Sequence, residues 1–438
     1  MDPMKRLGFL GFFLVLLLAA VSCSQPPPSP PPATCSPRPT GLTAQGGFSE
    51  KALPQGYGDF FYPHVPGELL VLSQGLTPQG LVARLGNAEV MGILPGGFVH
   101  LRVLPGSEKR QAQALLQAGA RWVQPNYLYY PLAFPNDPLY IPKQSGQLNG
   151  LVGLETAWAR TVGDQMLSMA IIDTGYLAHV DMAGRWYLPS AQLDVADGDA
   201  DPTDDTPKGR GHGLAVASVL GAVTGNALGM AGVTWQGRVL PLKVARSRDG
   251  EITTAYLATA VNRAVDLGAR VVNLSVGGPI SDPALENSLA SARQQGVVLV
   301  AAVGNSGTDG IFYPAGSPSV IAVGAVNNTK QKAYFSNCGQ ELDLVAPGQG
   351  VVAALPNDDY GSGSGTSFAA PVVSGVVALY MSHFKAQKGS WPTPDQVYAC
   401  LAAAAEDLGP SGHDTGYGFG LVRADRIFSS AYASVCFP

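Results

Sequence analysis

Residues 168–176 read SMAIIDTGY. An unbroken apolar run of strand length, closed by a Thr-Gly turn, is the pattern of a strand buried on both faces. The pattern returns in RVLPLKV (238–244), RVVNLSV (270–276), GVVLVAAVG (296–304) and SVIAVGAV (319–326). Helical stretches separate these runs, among them ITTAYLATAVNRAVDLG (252–268) and SDPALENSLASARQQG (281–296). Strands apolar on both sides and alternating with helices predict an α/β fold, a mostly parallel sheet with helices on both faces. Such sheets place their functional groups at the carboxyl ends of the strands. Asp173 therefore stands at the functional edge.

The tetrapeptide DTGY occurs a second time, at 414–417, inside PSGHDTGYGFGLV. Two Asp-Thr-Gly units could form an aspartic-protease dyad, whose carboxylates share one proton. That dyad needs two equivalent β contexts. Asp414 follows a Gly-Pro-Ser-Gly loop with no strand leading into it, so it reads as a turn residue.

Asp173 needs partners before it can be read as chemistry. Of the six His, only His212 has a distinctive setting: KGRGHGLAVASVLGAV (208–223) puts it between glycines at the start of a helix of small residues. In YGSGSGTSFAAPVVSGVVALYM (360–381), Ser367 opens a long apolar helix, with Pro371 tolerated in its first turn. A Ser there is ordinarily a cap. Flanking glycines, unpaired N–H groups and the positive end of the helix dipole also suit a nucleophile beside a developing oxyanion. The run VVLVAAVGNSG (297–307) ends at Gly304-Asn305 and adds a side-chain amide at the same edge.

AIIDTG, GHGLAVAS, NLSVGG, AAVGNSG and GTSFAAPVVSG, in this order, resemble the subtilisin-like serine proteases, the subtilase family, from about Pro135 to the C-terminus. Asp…His…Ser is the chain order of the subtilisin triad. The resemblance implies Ser367 as nucleophile, His212 as general base and Asp173 as the group that orients the imidazole. It makes the Asn305 amide and the Ser367 N–H an oxyanion hole. It assigns Ser275, Val276 and Gly277, with Arg248, Gly250 and Ile252, to strands that pair with an extended peptide, and broad specificity follows from main-chain pairing. Phe312, before Tyr313-Pro314, stands where smaller residues floor the specificity pocket, which implies a narrower pocket. The chemistry implied needs no cofactor, the substrates are proteins or peptides, and the protein is expected to be a monomer.

Departures from the family pattern are local. Leu214 and Ala215 follow His-Gly where Thr-His is commoner. GAVTGNALGMAG (221–232) is short where many relatives carry a calcium loop. DVADGDADPTDDTPKG (194–209) concentrates acid before His212. In it Asp197, Asp199 and Asp201 have the alternate spacing of a calcium loop, so structural calcium stands beside a plain solvated acidic loop as a reading.

The upstream chain completes the organisation. Residues 1–23 have a positive start (Lys5, Arg6), an apolar run (Leu7 to Ala20) and a small-residue zone ending at Cys23, the form of an export signal. AAVSC also resembles a lipoprotein signal, so a membrane tether through lipidated Cys23 and plain secretion are both open. Residues 24–62 form a Pro-rich linker. Residues 63–133 read strand–helix–strand–strand–helix–strand, a ferredoxin-like α+β unit, with Thr77 and Ser107 as helix caps. RWVQPNYLYYPLAFPNDPLY (121–140) resembles a subtilase propeptide junction, which would make the α+β unit an intramolecular chaperone and inhibitor, cut off between Tyr130 and Pro138, and 134–438 the peptidase domain.

Export permits disulfides. Cys35, Cys338, Cys400 and Cys436 allow three full pairings. Cys400 with Cys436 is the expected C-terminal staple, and free buried thiols are the alternative. Only 27 Lys and Arg, scattered through 438 residues at a net charge of −5, exclude a nucleic-acid partner. Two other readings compete with the peptidase: a catalytically silent fold displayed for binding, and an esterase, which would need a Gly-x-Ser-x-Gly elbow that GTSFA lacks.

Overall fold

The computed structural model describes residues 56–58, 60, 64–73, 75–127 and 134–438. The expected export signal, Cys23, Cys35 and most of the Pro-rich stretch lie outside the described residues. The chain divides into two units at Leu128/Tyr129.

In the first unit, β1 (Gly56–Tyr57), β2 (His64–Ser73), β3 (Glu89–Ile93), β4 (Phe98–Arg102) and β5 (Ala120–Tyr127) form one sheet, ordered β1-β5-β2-β4-β3. The four long strands pair antiparallel in the ferredoxin-like order. The linker expected over 24–62 ends earlier than its reading, because Gly56 and Tyr57 already pair parallel with β5. Leu69, Val71, Leu101 and Val123 point from the sheet into the core with Leu81 and Leu115 of the two helices.

The helix Pro78–Leu85 starts as read, with Thr77 Oγ1 accepting from Gly80 N at 3.1 Å. Ser107 sits at the N-cap position of Glu108–Gln117 but does not cap it. Its hydroxyl donates to Leu104 O, and the Glu108 carboxylate accepts from Gly67 N at 2.6 Å and Gly106 N at 3.0 Å, both outside the helix.

The second unit is built on β6 (Ser168–Asp173), β7 (Arg238–Lys243), β8 (Ala269–Leu274), β9 (Val298–Ala302), β10 (Ile321–Val326) and β11 (Leu344–Pro347). They form a six-stranded sheet in the order β11-β10-β9-β8-β6-β7, every pair parallel. The five apolar runs of the sequence are five of these strands, buried on both faces apart from Arg238 at the start of β7 and half-buried Arg270 in β8. After β7 the chain crosses to the far side of β6 to begin β8. That reversal opens a crevice at the carboxyl ends of β6 and β8.

The helix Thr366–Lys388 is long and apolar enough to cross a membrane, and 83% of its most apolar window is buried within the protein. It is a core helix of this unit. β12 (Val351–Leu355) and β13 (Asp359–Gly363) form the antiparallel hairpin that leads into it. At the far end, Cys400 and Cys436 are joined in a disulfide, the expected pairing, and Cys338 is in no disulfide among the described residues.

Candidate active site

Asp173, the last residue of β6, is almost fully buried. Its Oδ1 accepts from Thr174 N at 2.7 Å and lies 2.7 Å from His212 Nδ1. A carboxylate only accepts, so Nδ1 carries the imidazole proton and Nε2 keeps its lone pair. Glycine beside His212 is a steric requirement: a Cβ on Gly213 would stand 2.5 Å from Gly175 O. Burial would lower the His212 pKa, but the charge and hydrogen bond of Asp173, with the charge of Asp204, outweigh it and hold the pKa above the ordinary histidine value.

Asp204 braces this pair. Fully buried, it accepts from Thr174 Oγ1 at 2.6 Å, Gly211 N at 2.7 Å and Thr206 Oγ1 at 2.6 Å. Thr174 Oγ1 in turn accepts from Gly213 N at 3.0 Å. The carboxylate thus ties the turn after β6 to the N-terminus of the helix His212–Gly221, where unpaired N–H groups favour negative charge. In the sequence Asp204 is one acid among many in a loop, and nothing local distinguishes it.

Ser367 is the second residue of its helix, which begins at Thr366. Pro371 therefore lies in the second turn, a turn deeper than the sequence suggested. A proline at that point has no N–H to give the carbonyl four residues back, which is that of Ser367. Ser275 Oγ fills the vacancy, donating to Ser367 O at 3.0 Å. A buried polar chain supports it: Asn273 Nδ2 donates to Ser275 Oγ at 2.9 Å, and Ser374 Oγ to Asn273 Oδ1 at 2.9 Å. Ser367 Oγ donates to Ser275 O at 3.3 Å, and no hydrogen bond joins it to His212 among the described residues. The imidazole is nonetheless a neighbour, its ring meeting that of Phe368 edge-on at 6.4 Å between centroids.

Asn305 follows β9. Thr366 N and Thr366 Oγ1 both reach its Oδ1, at 2.8 and 2.9 Å. A backbone N–H can only donate, so the amide orientation is settled and Nδ2 is left as the donor.

The substrate residues expected from the sequence fall into two groups. Val276, Gly277 and Ile252 line one cleft of about 480 Å³ with Leu257, Leu285 and Tyr313. Phe312 wedges between the ends of β8 and β9: a Cβ on Gly304 would stand 2.9 Å from its ring, and one on Gly277 3.6 Å from its Cβ. Arg248 and Gly250 do not form the expected strand. Arg248 lies in a turn, 74% exposed, with Nε 2.9 Å from Asp249 Oδ2, and Arg246 binds the same carboxylate, folding the segment onto itself.

The acidic stretch is organised around an ammonium. Lys243, at the end of β7 and 1% exposed, reaches Asp194 at 2.6 Å, Asp197 at 2.9 Å, Asp205 at 3.0 Å and Ser247 Oγ at 2.7 Å. Burial raises the Asp197 carboxyl pKa, but Ser247 and Lys243 outweigh it and bring it down to about 2. Of the calcium candidates, Asp197 is thus taken by Lys243. Asp199 Oδ1 accepts from Asp201 N, and Asp201 Oδ1 from Thr203. The three do not converge, and no cluster of His, Cys, Asp or Glu among the described residues is arranged to hold a metal ion. The short 221–232 segment is pinned by buried carboxylates: Asp137 accepts from Gly225 N at 2.9 Å, and Asp181 from Asn226 Nδ2 at 2.7 Å and Met230 N at 2.8 Å.

A sequence profile of the subtilase family matches residues 164–420, more than half of the chain. The chain is 39% identical over 262 residues to the thermophilic serine proteinase of Bacillus sp. (strain AK1), a match covering 60% of this chain and 63% of that one, just under two thirds of that relative's length. It is 31% identical over 333 residues to the halolysin-like extracellular serine protease Nep of Natrialba magadii, covering 75% of this chain and 60% of that one. That share is larger than the unit Tyr129–Pro438 alone makes up, so the likeness extends into the first unit. Among solved structures, a protease from Pseudoalteromonas arctica superposes with a TM-score of 0.58 at 28% identity, covering 69% of this chain and 99% of that one.

Proposed function

The chain belongs to the subtilase family of serine proteases, and we propose that it cleaves peptide bonds with Ser367 as nucleophile, His212 as general base and Asp173 as the orienting carboxylate. The observation that carries the reading is the 2.7 Å Asp173–His212 pair, set on the same strand-end rim as an amide whose Nδ2 is turned free by Thr366.

Ser367 Oγ turns about its χ1 from the Ser275 carbonyl toward His212 Nε2. It attacks the scissile carbonyl carbon while its proton passes to Nε2. The imidazolium is stabilised by Asp173, and the oxyanion by Asn305 Nδ2 and the Ser367 N–H. Collapse breaks the C–N bond as His212 returns the proton to the departing amine. Water then hydrolyses the acyl-enzyme by the same route, with His212 again taking the proton. These side chains supply nucleophile, base and oxyanion donors by themselves, so the reading asks for no cofactor.

The substrate is an extended peptide lying along Ser275–Gly277, with Ile252 on the opposite wall. Phe312, filling the space between Gly277 and Gly304, restricts the residue on the acyl side of the cut to small side chains. The first unit acts as propeptide, chaperone and inhibitor, and is removed by self-cleavage. The ferredoxin-like order of its strands and the extension of the Nep likeness into it support this role. The protein is exported, secreted or tethered through Cys23, and works as a monomer; the Cys400–Cys436 disulfide supports an oxidising compartment.

A fluorophosphonate that labels Ser367 in wild type and not in Ser367→Ala, with Ser367→Ala accumulating at precursor size, is the expected result. The donation from Ser367 Oγ to Ser275 O favours a second reading, a silent binding fold. Absence of labelling in folded wild-type protein would select it.

A further inference from the structure

An oxyanion donor is effective only if its main chain holds the amide where charge will develop, and Asn305 sits in a loop, not in a strand. Thr366 fixes the direction of its side chain. The position of its backbone is set elsewhere, by Asn337, a fully buried residue 32 positions further along the chain. Asn337 N donates to Gly304 O at 3.1 Å, and Asn337 Oδ1 accepts from Ser306 N at 2.8 Å. These two bonds bracket Asn305 on both sides. The third, Asn337 Nδ2 to Gly310 O at 3.0 Å, closes the loop behind it.

Fit is tight as well as polar. Gly304 has a φ of +106°, and a Cβ there would stand 2.6 Å from Asn337 Nδ2. Two further backbone bonds lace the same loops together: Gly307 N to Phe335 O at 2.7 Å and Gly310 N to Cys338 O at 2.8 Å. Asn337 is the member of this lacing whose side chain uses both its donor and its acceptor on the loop that carries Asn305. Asn337 thus bonds to both neighbours of Asn305, through its main-chain N–H to Gly304 O and its side-chain oxygen to Ser306 N.

We propose that Asn337 is a positioning residue for transition-state stabilisation, fixing the Asn305 amide against the carbonyl oxygen of the scissile bond as it becomes negative. The inference rests on the proposed peptidase reading. A displaced donor loses transition-state binding without losing substrate binding, because the oxyanion exists only in the transition state.

The test is a double-mutant cycle on full-length protein, with rates normalised to fluorophosphonate-titrated sites and a peptide anilide as substrate. Asn337→Ala is expected to lower kcat by roughly tenfold to a hundredfold, with KM within about threefold and the affinity for a peptide boronate falling in step with kcat/KM. In an Asn305→Ala background the same substitution should lower kcat by less than about threefold, since the group it positions is gone. Equal losses in both backgrounds, an unchanged kcat, or a change confined to KM would each overturn the inference. Asn337→Ser, which keeps a side-chain oxygen able to accept from Ser306 N, is read through the same cycle if Asn337→Ala does not fold. Should wild-type protein itself fail to label, the peptidase reading falls; should it label while the cycle is additive, only the role of Asn337 falls.

Discussion

The two DTGY segments are one tetrapeptide in two structures. At 173–176 a buried strand delivers the carboxylate to the sheet edge, where Asp173 Oδ1 faces His212 and the Thr174 N–H. At 414–417 a loop leads in, and Asp414 Oδ1 turns back on its own chain, accepting from Gly416 N at 2.7 Å and Tyr417 N at 2.9 Å. The threonines differ as sharply. Thr174 Oγ1 links Asp204 to Gly213 N, whereas Thr415 contributes its carbonyl to Gly339 N. Each aspartate keeps its second oxygen buried without a partner among the described residues. The residues are the same in the two copies, and the direction from which the backbone arrives decides whether the carboxylate serves another element or its own turn.

Exchanging groups between the copies tests that contrast. The largest effect belongs to the first aspartate. Asp173→Asn should lower kcat by about 10⁴ by removing the acceptor that holds the His212 tautomer, while Asp414→Asn should leave kcat within about threefold; peptide-anilide turnover per labelled site measures both. A comparable loss from Asp414→Asn would break the comparison.

Thr174→Val should cost roughly 1–3 kcal/mol by removing one donor from the fully buried Asp204 carboxylate, whereas Thr415→Val should stay within about 0.5 kcal/mol. Denaturant unfolding of active-site-blocked protein gives both values. Asp414→Ala should cost about 1 kcal/mol through its two turn hydrogen bonds, with no change in the rate at which the remaining folded sites are labelled.

The smallest expected effect is a displacement of the pH profile. In the proposed mechanism His212 acts as a base only when neutral, and Asp173 holds its folded pKa above the ordinary value. Activity should therefore fall with decreasing pH through a midpoint above about 6.5, the unperturbed histidine value. The same raised pKa means that the stabilisation from the charged pair is present below that value and lost as pH rises through the folded pKa. Asp173→Asn removes the main raising influence and leaves burial, so kcat/KM against pH should show the acid limb moved downward, and Asp414→Asn should leave it in place.

Several errors of sequence reading share one cause. Ser107 has the right type and place for a cap, yet its hydroxyl turns back to Leu104 O, while Glu108 accepts from Gly67 N of a distant strand and from Gly106 N. Pro371 was read as a tolerated first-turn residue, but its missing N–H matters because it leaves the Ser367 carbonyl for Ser275. The 248–252 segment, expected as a strand that pairs with substrate, instead turns where Arg246 and Arg248 close on Asp249. In the acidic stretch Asp194, Asp197 and Asp205 meet a lysine from β7, a partner that the spacing of the carboxylates does not announce.

The apolar runs, the glycines that permit close approach and the helix of small residues after His212 were legible in the chain, because burial on both faces and backbone freedom are properties of neighbouring residues. They determined the parallel sheet and the edge at which Asp173, His212, Asn305 and Ser367 stand. The bracing of that edge by Asp204, Lys243 and Asn337 was decided by tertiary structure alone. Each of these side chains has a partner on an element at least 27 residues away in sequence, and hydrogen bonds and ion pairs act over a few ångströms of space with no local pattern to announce them.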